Sequence, residues 1–253
     1  MGRKPVAPVK VTEFDVKAFY KALVDTAKGD APDGPVFKQK KSFAPSTIGY
    51  GHGKCPRYWY YAFGGTLFDE STDYKSKGRM ANGTDSHARI QEVVSRTGYN
   101  ILVEQEALNE NPPIRGFIDI DLVDFNIPVE VKTTNDTNYR LFKASGHPSP
   151  SHRVQELIYM KIRGATEGLI LYENKDTNEM HIIPILMSKR NEDFINGVFD
   201  WMKLVKSMID ADKLPRRGFE KGTYVCKNCP VAKACDAGDV GVVLIKPLEV
   251  PKV

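Results

Sequence analysis

The sequence lacks an apolar run long enough to cross a membrane and lacks an export signal. Its longest apolar stretches, at residues 168–172, 182–187 and 240–245, fall far short of the roughly 20 residues that a membrane helix needs. The first eleven residues, MGRKPVAPVKV, have no apolar signal-peptide core, and Val6 stands where a myristoylation motif needs Ser or Thr. These absences predict a cytoplasmic protein that does not span a membrane.

Cysteine is also scarce, with four residues in a chain of 253, and no internal repeat or Walker A loop occurs. A disulfide scaffold and an ATP-driven motor with its own nucleotide site are therefore not expected. The chain is 41% hydrophobic and 27% charged, which is typical of globular proteins. Its length suffices for a substantial core in one large domain or two small ones.

The most informative stretch, residues 115–134, reads RGFIDIDLVDFNIPVEVKTT. Two β-rich runs flank a turn-like Asp-Phe-Asn tripeptide, which predicts an antiparallel hairpin. Because side chains alternate faces along a strand, Ile118 and Ile120 are expected on one face and Asp119 on the other. Pairing about the turn places Asp119 opposite Glu130, so two carboxylates share one face.

Opposed like charges destabilise a strand pair unless something compensates them. A divalent cation would do so, and oxygen ligands suit magnesium or manganese. Lys132 follows Glu130 by two residues and would assist phosphoryl chemistry at such a site. The alternative is a half-buried hairpin whose outer face is simply acidic and solvated.

The net charge of +4 is small, but its distribution along the chain is uneven. Residues 37–60 carry five basic residues and no acid, and residues 203–233 carry eight basic residues against three acids. The hairpin between them, residues 116–130, carries four acids and no base. Basic flanks around an acidic centre favour a polyanion held across a metal site, although each patch alone also fits an ordinary solvated face.

The cysteines are divided between two distant parts of the chain. Three form a C-x2-C-x5-C group, Cys226, Cys229 and Cys235, and Cys55 lies far upstream. In a chain without an export signal, this spacing favours metal ligands over disulfides, and four thiolates suit zinc or an iron–sulphur cluster. Free buried thiols are the alternative.

Apolar periodicity predicts the remaining elements. Helices are expected over residues 13–28, 74–96, 151–163 and 191–211, and strands over 99–108, 168–172 and 180–187. The first of these strands carries Glu104 and Glu106 as minor contributors to the site. Residues 139–150 are polar and rich in Gly and Pro, so a mobile loop is expected there. The aromatic group at residues 58–63 is expected in the core, with base stacking as the alternative.

Taken in order, several short motifs resemble one nuclease family. They are His87, GFID at 116–119, EVKT at 130–133, and Gln155 followed four residues later by Tyr159. This series resembles RecB-type nucleases of the PD-(D/E)XK superfamily. One cysteine before the motifs and three after them resemble the iron–sulphur subgroup, which includes CRISPR-associated exonucleases and AddB-type helicase-nucleases. Without a helicase motif, the chain looks like a stand-alone member of the kind found in phages.

The resemblance implies a role for each matching residue. The catalytic residues would be Asp119, Glu130 and Lys132. The ligands of a Mn²⁺ or Mg²⁺ ion would be His87, Asp119, Glu130 and the Val131 carbonyl. Gln155 and Tyr159 would position the DNA strand. A structural [4Fe–4S] cluster would be held by Cys55, Cys226, Cys229 and Cys235.

The implied fold is an α/β restriction-endonuclease-like core, with a mixed central sheet flanked by helices and the cluster joining the N-terminal and C-terminal segments. The expected segments are an N-terminal tail and helix (1–45), a helical segment with Cys55 and His87 (46–98), the nuclease core (99–190), and a C-terminal helix with the cysteine tail (191–253). Residues 46–238 are expected to form one compact domain.

Two functions follow as main hypotheses, and a nucleic-acid-binding protein held together by zinc, without iron, is a third. The first is a metal-dependent DNA exonuclease that prefers single-stranded ends, acts 5′ to 3′, and serves DNA end processing, recombination or repair. The second is an adaptor that binds DNA ends during CRISPR spacer acquisition with little catalysis of its own. DNA is the expected partner in both, while a second copy of the chain or a recombination or CRISPR protein stays open as a further partner.

Overall fold

The computed structural model describes residues 15–28, 34–69 and 74–251. The expected N-terminal tail at residues 1–11 lies outside these ranges, and so do residues 31–33 of the Gly-, Pro- and Asp-rich stretch at 31–35, whose composition predicts a linker. The described helices are α1 (Val16–Lys28), α2 (Pro45–Ile48), α3 (Pro56–Gly64), α4 (Tyr74–Ser95), α5 (Asp136–Ser145), α6 (Pro150–Arg163), α7 (Lys189–Asp210), α8 (Tyr224–Lys227) and α9 (Ala232–Ala237). The strands are β1 (Val36–Lys38), β2 (Thr66–Phe68), β3 (Ile101–Asn109), β4 (Ile114–Leu122), β5 (Ile127–Thr134), β6 (Glu167–Asn174) and β7 (Met180–Leu186).

The central sheet has five strands in the order β3-β4-β5-β6-β7. β5 and β6 run parallel, and the other neighbouring strands run antiparallel. A parallel pair requires a long crossover, and the segment between β5 and β6 supplies it with α5 and α6. The predicted mixed sheet flanked by helices is confirmed, as is the hairpin formed by β4 and β5.

Helices pack on both faces of this sheet. On one face, Ile90 of α4 forms an apolar cluster with residues of β4, β5 and β6, including Val129 and Leu171. On the other face, α6 buries Leu157 and Ile158 in the main core. Because α4 and α6 both contact β5, the polar side chains near its carboxyl end lie between two helices.

The prediction of a loop over residues 139–150 is wrong in its first half, because α5 spans Asp136–Ser145. The side chain of Asn135 caps this helix by accepting a hydrogen bond from the Asn138 N–H. Gly146 ends the helix in the left-handed conformation, with φ of 67°. Tyr139 is buried and anchors the helix to the core. The capping residues, rather than apolar periodicity, carry the helix signal.

The aromatic group of α3 lies mainly in the core, as predicted. Tyr58, Trp59 and Phe63 are buried, and the Trp59 indole N–H donates to the Gly53 carbonyl at 2.7 Å. Phe43 packs edge-on against Trp59 with ring centroids 4.7 Å apart. Base stacking by these three buried rings is therefore excluded.

The helix predicted over residues 13–28 is present as α1, but its apolar side chains stay about half exposed, including Phe19 and Leu23. The other predicted helices and strands appear within a few residues of their expected bounds. Among the described helices, none has the length and apolarity to span a bilayer.

Candidate active site

β4 and β5 separate where Asp119 faces Glu130. The antiparallel ladder between the two strands ends at the pair Ile120–Val129, one residue before this position. Beyond it, Oδ2 of Asp119 accepts a hydrogen bond from the Val131 N–H at 2.7 Å. The side chain of Asp119 thus replaces a rung of the ladder, which leaves an opening between the strands. The register places Asp119 opposite Glu130, as the hairpin pattern predicted.

The expected alternation of side chains is interrupted at this position. Ile120 packs in the cluster of Ile90 from α4, whereas Ile118 packs beside Tyr159 from α6. The prediction that Ile118 and Ile120 share one face of the sheet is therefore wrong. The strand changes face at Asp119, which lies between them.

The neighbouring strand β3 changes face at the same level. Ile101 packs against the α4 side, and Ala107 packs beside Tyr159 on the α6 side. Between them, Glu104 has a φ of 51°, and the register of the two strands places it opposite Asp119. A non-glycine residue in this left-handed region costs about 1–3 kcal/mol, so the surrounding structure must hold Glu104 in place.

This distortion brings a histidine and two carboxylates together. His87 Nδ1 lies 3.6 Å from Asp119 Oδ1, and one ligand atom each from His87, Glu104 and Asp119 lies within 4.8 Å of the others. Gln91 links the group, because its Nε2 donates to Glu104 Oε1 at 2.8 Å and to the Asp119 carbonyl at 2.9 Å. The predicted ligands His87 and Asp119 therefore meet, and Glu104 joins them.

Glu130 lies beside this group but is not one of its three members. It is only 1% exposed, its Oε1 pairs with Lys132 Nζ, and its Oε2 has no hydrogen-bond partner. Burial raises the pKa of Glu130 to about 7, although the nearby Lys132 opposes the rise, and Asp119 adds to it. A buried carboxylate with an unpartnered oxygen is expected to attract a cation or a proton.

His87 responds to the same negative charge. Interaction with the Asp119 carboxylate raises the pKa of His87, against the lowering effect of burial. A divalent cation would compete with the proton for the same ring nitrogen, because a metal-bound imidazole is neutral.

The two residues predicted to position DNA lie on α6 and are largely buried. Gln155 and Tyr159 line a cavity of about 400 Å³ together with Arg115 and Gly116 of β4. Burial raises the pKa of Tyr159, and the Glu130 carboxylate raises it further, so its hydroxyl stays protonated. A Cβ on Gly116 would lie 2.8 Å from Tyr159 Oη, which explains the glycine of the GFID motif.

The four cysteines line one cavity of about 240 Å³, although three of them lie far from Cys55 in the sequence. All four are free and partly buried, and within the described ranges no three of their sulphurs lie within 4.8 Å of one another. A single zinc ion needs its sulphurs about 3.8 Å apart, from a Zn–S distance of about 2.3 Å and tetrahedral geometry. When no metal is bound, burial raises the pKa of the Cys55 thiol and raises that of Cys229 to about 12.

Comparison with models of known protein families and with curated proteins finds no match. Solved structures do show likeness. SSO0001 has 16% identity over 89% of this chain and 98% of its own, with a TM-score of 0.47. An alkaline exonuclease from Laribacter hongkongensis has 17% identity over 52% of this chain and 71% of its own, with a TM-score of 0.43.

A phage-related exonuclease from Haemophilus somnus 129PT has 12% identity over 62% of this chain and 81% of its own, with a TM-score of 0.42. At scores and identities this low, likeness does not decide what the protein does. The side-chain geometry of this chain has to carry the functional argument.

Glu156 of α6 is a buried acid for which the sequence motifs assign no role. It is fully buried, neither carboxylate oxygen has a side-chain partner, and a Cβ on Gly168 would lie 2.2 Å from Oε1. Burial raises the pKa of Glu156 well above its usual value, and the nearby carboxylates of Glu130 and Asp119 raise it further. Folding therefore favours the protonated form of this side chain more than water does.

We expect Glu156→Gln to remove a pH-dependent loss of stability. An acid whose pKa is raised by folding stabilises the fold below its unfolded pKa, and this contribution is lost as pH rises toward the folded pKa. A tenfold difference in acidity between the folded and unfolded states is worth about 1.4 kcal/mol. The free energies of unfolding of the variant and the wild type should be measured with urea in EDTA at pH 5 and pH 8. The difference in favour of the variant should be larger at pH 8. An equal difference at both pH values would contradict the argument.

Proposed function

We propose that this protein is a metal-dependent deoxyribonuclease that hydrolyses phosphodiester bonds. The observation that carries the proposal is the gap between β4 and β5. There, Asp119 turns one oxygen to the Val131 N–H and the other toward His87, and the buried Glu130 of the facing strand has an unpartnered oxygen. Carboxylates buried together need positive charge, and in the described ranges the basic side chains paired with these are His87, beside Asp119, and Lys132, beside Glu130.

The donor set fits a divalent cation. Carboxylate oxygens suit magnesium and manganese, and the imidazole of His87 favours manganese of the two. The residues that would hold the ion are His87, Glu104, Asp119 and Glu130, with the Val131 carbonyl. When bound, such an ion polarises a phosphoryl oxygen and lowers the pKa of a coordinated water.

The side chains of this chain supply the remaining chemistry. Lys132 pairs with Glu130 and is partly exposed, so its ammonium can orient an attacking water and stabilise negative charge on the phosphate. Gln91 holds Glu104 and the backbone of Asp119 in place. Gln155 and Tyr159 offer hydrogen-bond donors from the other side of the sheet.

A polar cleft beside the end of β5 provides a path for a strand of DNA. Thr133 and Thr134 line it directly after Lys132, and the positive charges of Arg79 and Lys175 are accompanied by the negative charges of Asp85 and Asp176. Arg89 also lines the cleft, but both oxygens of Glu173 already bind its guanidinium at 2.7 Å. Guided by the family resemblance, we propose an exonuclease that prefers single-stranded ends and acts 5′ to 3′ in DNA end processing, recombination or repair.

We further propose that the cysteine cavity holds a [4Fe–4S] cluster with a structural role. The four thiols surround one space, and their sulphurs are too widely spaced for a single tetrahedral zinc ion. A cluster would join the start of α3 to the segment around α8 and α9. Anaerobic purification followed by iron, sulphide and zinc analysis tests this, since zinc without iron would refute the cluster.

The nuclease proposal is tested with end-labelled DNA. We expect the anaerobically purified protein to release nucleotides from single-stranded DNA with Mn²⁺, to act more slowly with Mg²⁺, and to be inactive in EDTA. Duplex DNA and both label positions determine strand preference and direction. Binding of DNA ends without release of nucleotides under either metal would contradict the nuclease and favour the adaptor.

A further inference from the structure

Arg57 is a buried cation next to the cysteine cavity. It is the second residue of α3, two positions after Cys55, and it is only 1% exposed. Its Nε donates to Cys235 Sγ at 3.2 Å, and its Nη1 donates to the carbonyls of Pro215 at 3.1 Å and Val240 at 3.0 Å. With the bond from its Nη2 to the Asp239 carbonyl, this side chain joins the beginning of α3 to four residues of the C-terminal segment.

No carboxylate pairs with Arg57 in the part of the chain that the structure describes. Arg163 pairs with Asp121 and Arg217 pairs with Asp236, whereas Arg153, also buried, donates to Asn191 Oδ1. A guanidinium removed from water without an anion is expensive, since neutral dipoles replace only part of its hydration. An anion at a group that Arg57 contacts would therefore stabilise it strongly.

Among the contacts of Arg57 within the described ranges, Cys235 Sγ, 3.2 Å from Nε, is the atom that binding of a metal would make an anion, because a metal-bound cysteine is a thiolate. We infer that Arg57 balances the negative charge of a thiolate-bound metal centre formed by the four cysteines. We infer also that it holds together the two segments that carry these cysteines. Four thiolates outnumber the positive charge of a zinc ion or of an iron–sulphur core, so the occupied centre is negative overall. Neutral thiols would leave the guanidinium without an anion.

The surroundings of Arg57 are shaped for this contact. Its Nη2 donates to the Cys235 carbonyl at 3.2 Å, so the guanidinium binds both the side chain and the backbone of one ligand. A Cβ on Gly238 would lie 2.0 Å from Tyr61 Oη and 3.3 Å from Arg57 Nη2, so the glycine leaves room for the forked guanidinium of Arg57, here called the fork. Arg57 thereby holds Cys235 near Cys55 before any metal binds, and such preorganisation strengthens metal binding.

This inference rests on the proposed metal centre at the cysteines. The experiment compares wild type, Arg57→Met, Arg57→Lys and Arg217→Met, purified anaerobically, for metal per chain and for the rate of metal loss to a chelator. We expect Arg57→Met to bind its metal about 10–100-fold more weakly, as is usual for a lost hydrogen bond to a ligand. Arg57→Lys keeps the charge but loses the fork, so it should fall between the two.

Arg217→Met tests the backbone contact alone, because Arg217 lines the same cavity and donates to the Cys235 carbonyl, but it is partly exposed, paired with Asp236 and without a bond to the Cys235 sulphur in the described ranges. Its loss of metal affinity should be smaller than that of Arg57→Met. If the centre is iron–sulphur, the midpoint potential of Arg57→Met should be lower than that of the wild type, because a nearby positive charge favours the reduced state.

Two failures are distinguishable. If the wild type itself carries neither iron nor zinc at the cysteines, the proposed centre is wrong. If the wild type carries metal and Arg57→Met keeps it equally well, the role of Arg57 is wrong. Circular dichroism and Mn²⁺ binding at the separate carboxylate site show whether Arg57→Met is folded. If Arg57→Met is unfolded, the test is the metal affinity of Arg57→Lys, which should lie below that of the wild type. An affinity equal to that of the wild type would overturn the inference.

Discussion

Replacing Glu130 with Gln is expected to lower manganese-dependent degradation of DNA by roughly 10³-fold or more, because a lost metal ligand forfeits several kcal/mol of stabilisation. The same change should make the metal-free protein more stable near neutral pH. Glu130 is buried beside Asp119, and its Oε2 has no partner. Activity and stability therefore move in opposite directions, as expected where a fold holds an unfavourable group for function.

The stability gain should depend on pH. Burial raises the pKa of Glu130 from 4.5 to about 7. In the wild type, the Glu130 carboxyl therefore makes its full contribution to the free energy of unfolding below pH 4.5. This contribution falls by about 3 kcal/mol as the pH rises to about 7. The variant has no carboxyl to titrate at this position. Its free energy of unfolding, measured with urea in EDTA, should therefore change less with pH across this range than that of the wild type.

Glu106→Gln provides the control for Glu130→Gln. Glu106, predicted as a minor contributor, lies outside the group of His87, Glu104 and Asp119, is exposed and pairs with Arg115. Its replacement should leave activity unchanged and stability within about 0.5 kcal/mol, as for most surface changes. Full activity of Glu130→Gln with saturating metal would show that the site has been assigned to the wrong residues.

Replacing Glu104 with Gly should separate backbone strain from metal binding. Glycine adopts a φ of 51° freely, so relief of the roughly 1–3 kcal/mol strain, less the roughly 0.5–1 kcal/mol entropic cost of glycine, should stabilise the metal-free protein by roughly 1 kcal/mol. The variant also loses a carboxylate that lies with His87 and Asp119. Its affinity for Mn²⁺, measured by calorimetry, should fall by about 10–100-fold.

Two comparisons isolate the cause. Glu104→Gln keeps the strained backbone but loses the charge, so its affinity should fall without a gain in stability. Asn126→Gly relaxes another residue with positive φ, 52°, in the turn between β4 and β5. That change should leave Mn²⁺ affinity unaltered. Equal affinity of Glu104→Gly and the wild type would exclude Glu104 from the cation site.

Local patterns predict much of this structure. The turn residues set the hairpin register, which brings Asp119 opposite Glu130, and helical periodicity places Gln155 and Tyr159 on one face of α6. Both features depend on neighbours in the sequence, because turn chemistry fixes register and the helical repeat fixes direction. The sequence analysis misses the α5 helix because Gly146, Pro148 and Pro150 favour a loop over residues 139–150, although Asn135 and Gly146 mark the two ends of the helix.

The parts that sequence reasoning misses depend on contacts between distant segments. Nothing in the alternating pattern of β4 shows that the strand changes face at Asp119, since the change occurs jointly with Glu104 in β3. For that reason the sequence alone indicates no more than a minor contribution from Glu104. Arg57 follows Cys55 by two residues in the sequence, but its role follows from the burial that the C-terminal segment imposes.

By itself, the sequence determined the order of the motifs, the paired acids of the hairpin and the types of residue that two metal centres would need. Tertiary structure alone decided that β3 distorts to deliver Glu104, that Glu156 stays buried without a side-chain partner, and that Arg57 faces Cys235. The physical reason is the separation along the sequence of the groups that interact. Hydrogen bonds within turns and helices join near neighbours, whereas desolvation and charge compensation depend on which remote segments the packed core brings together.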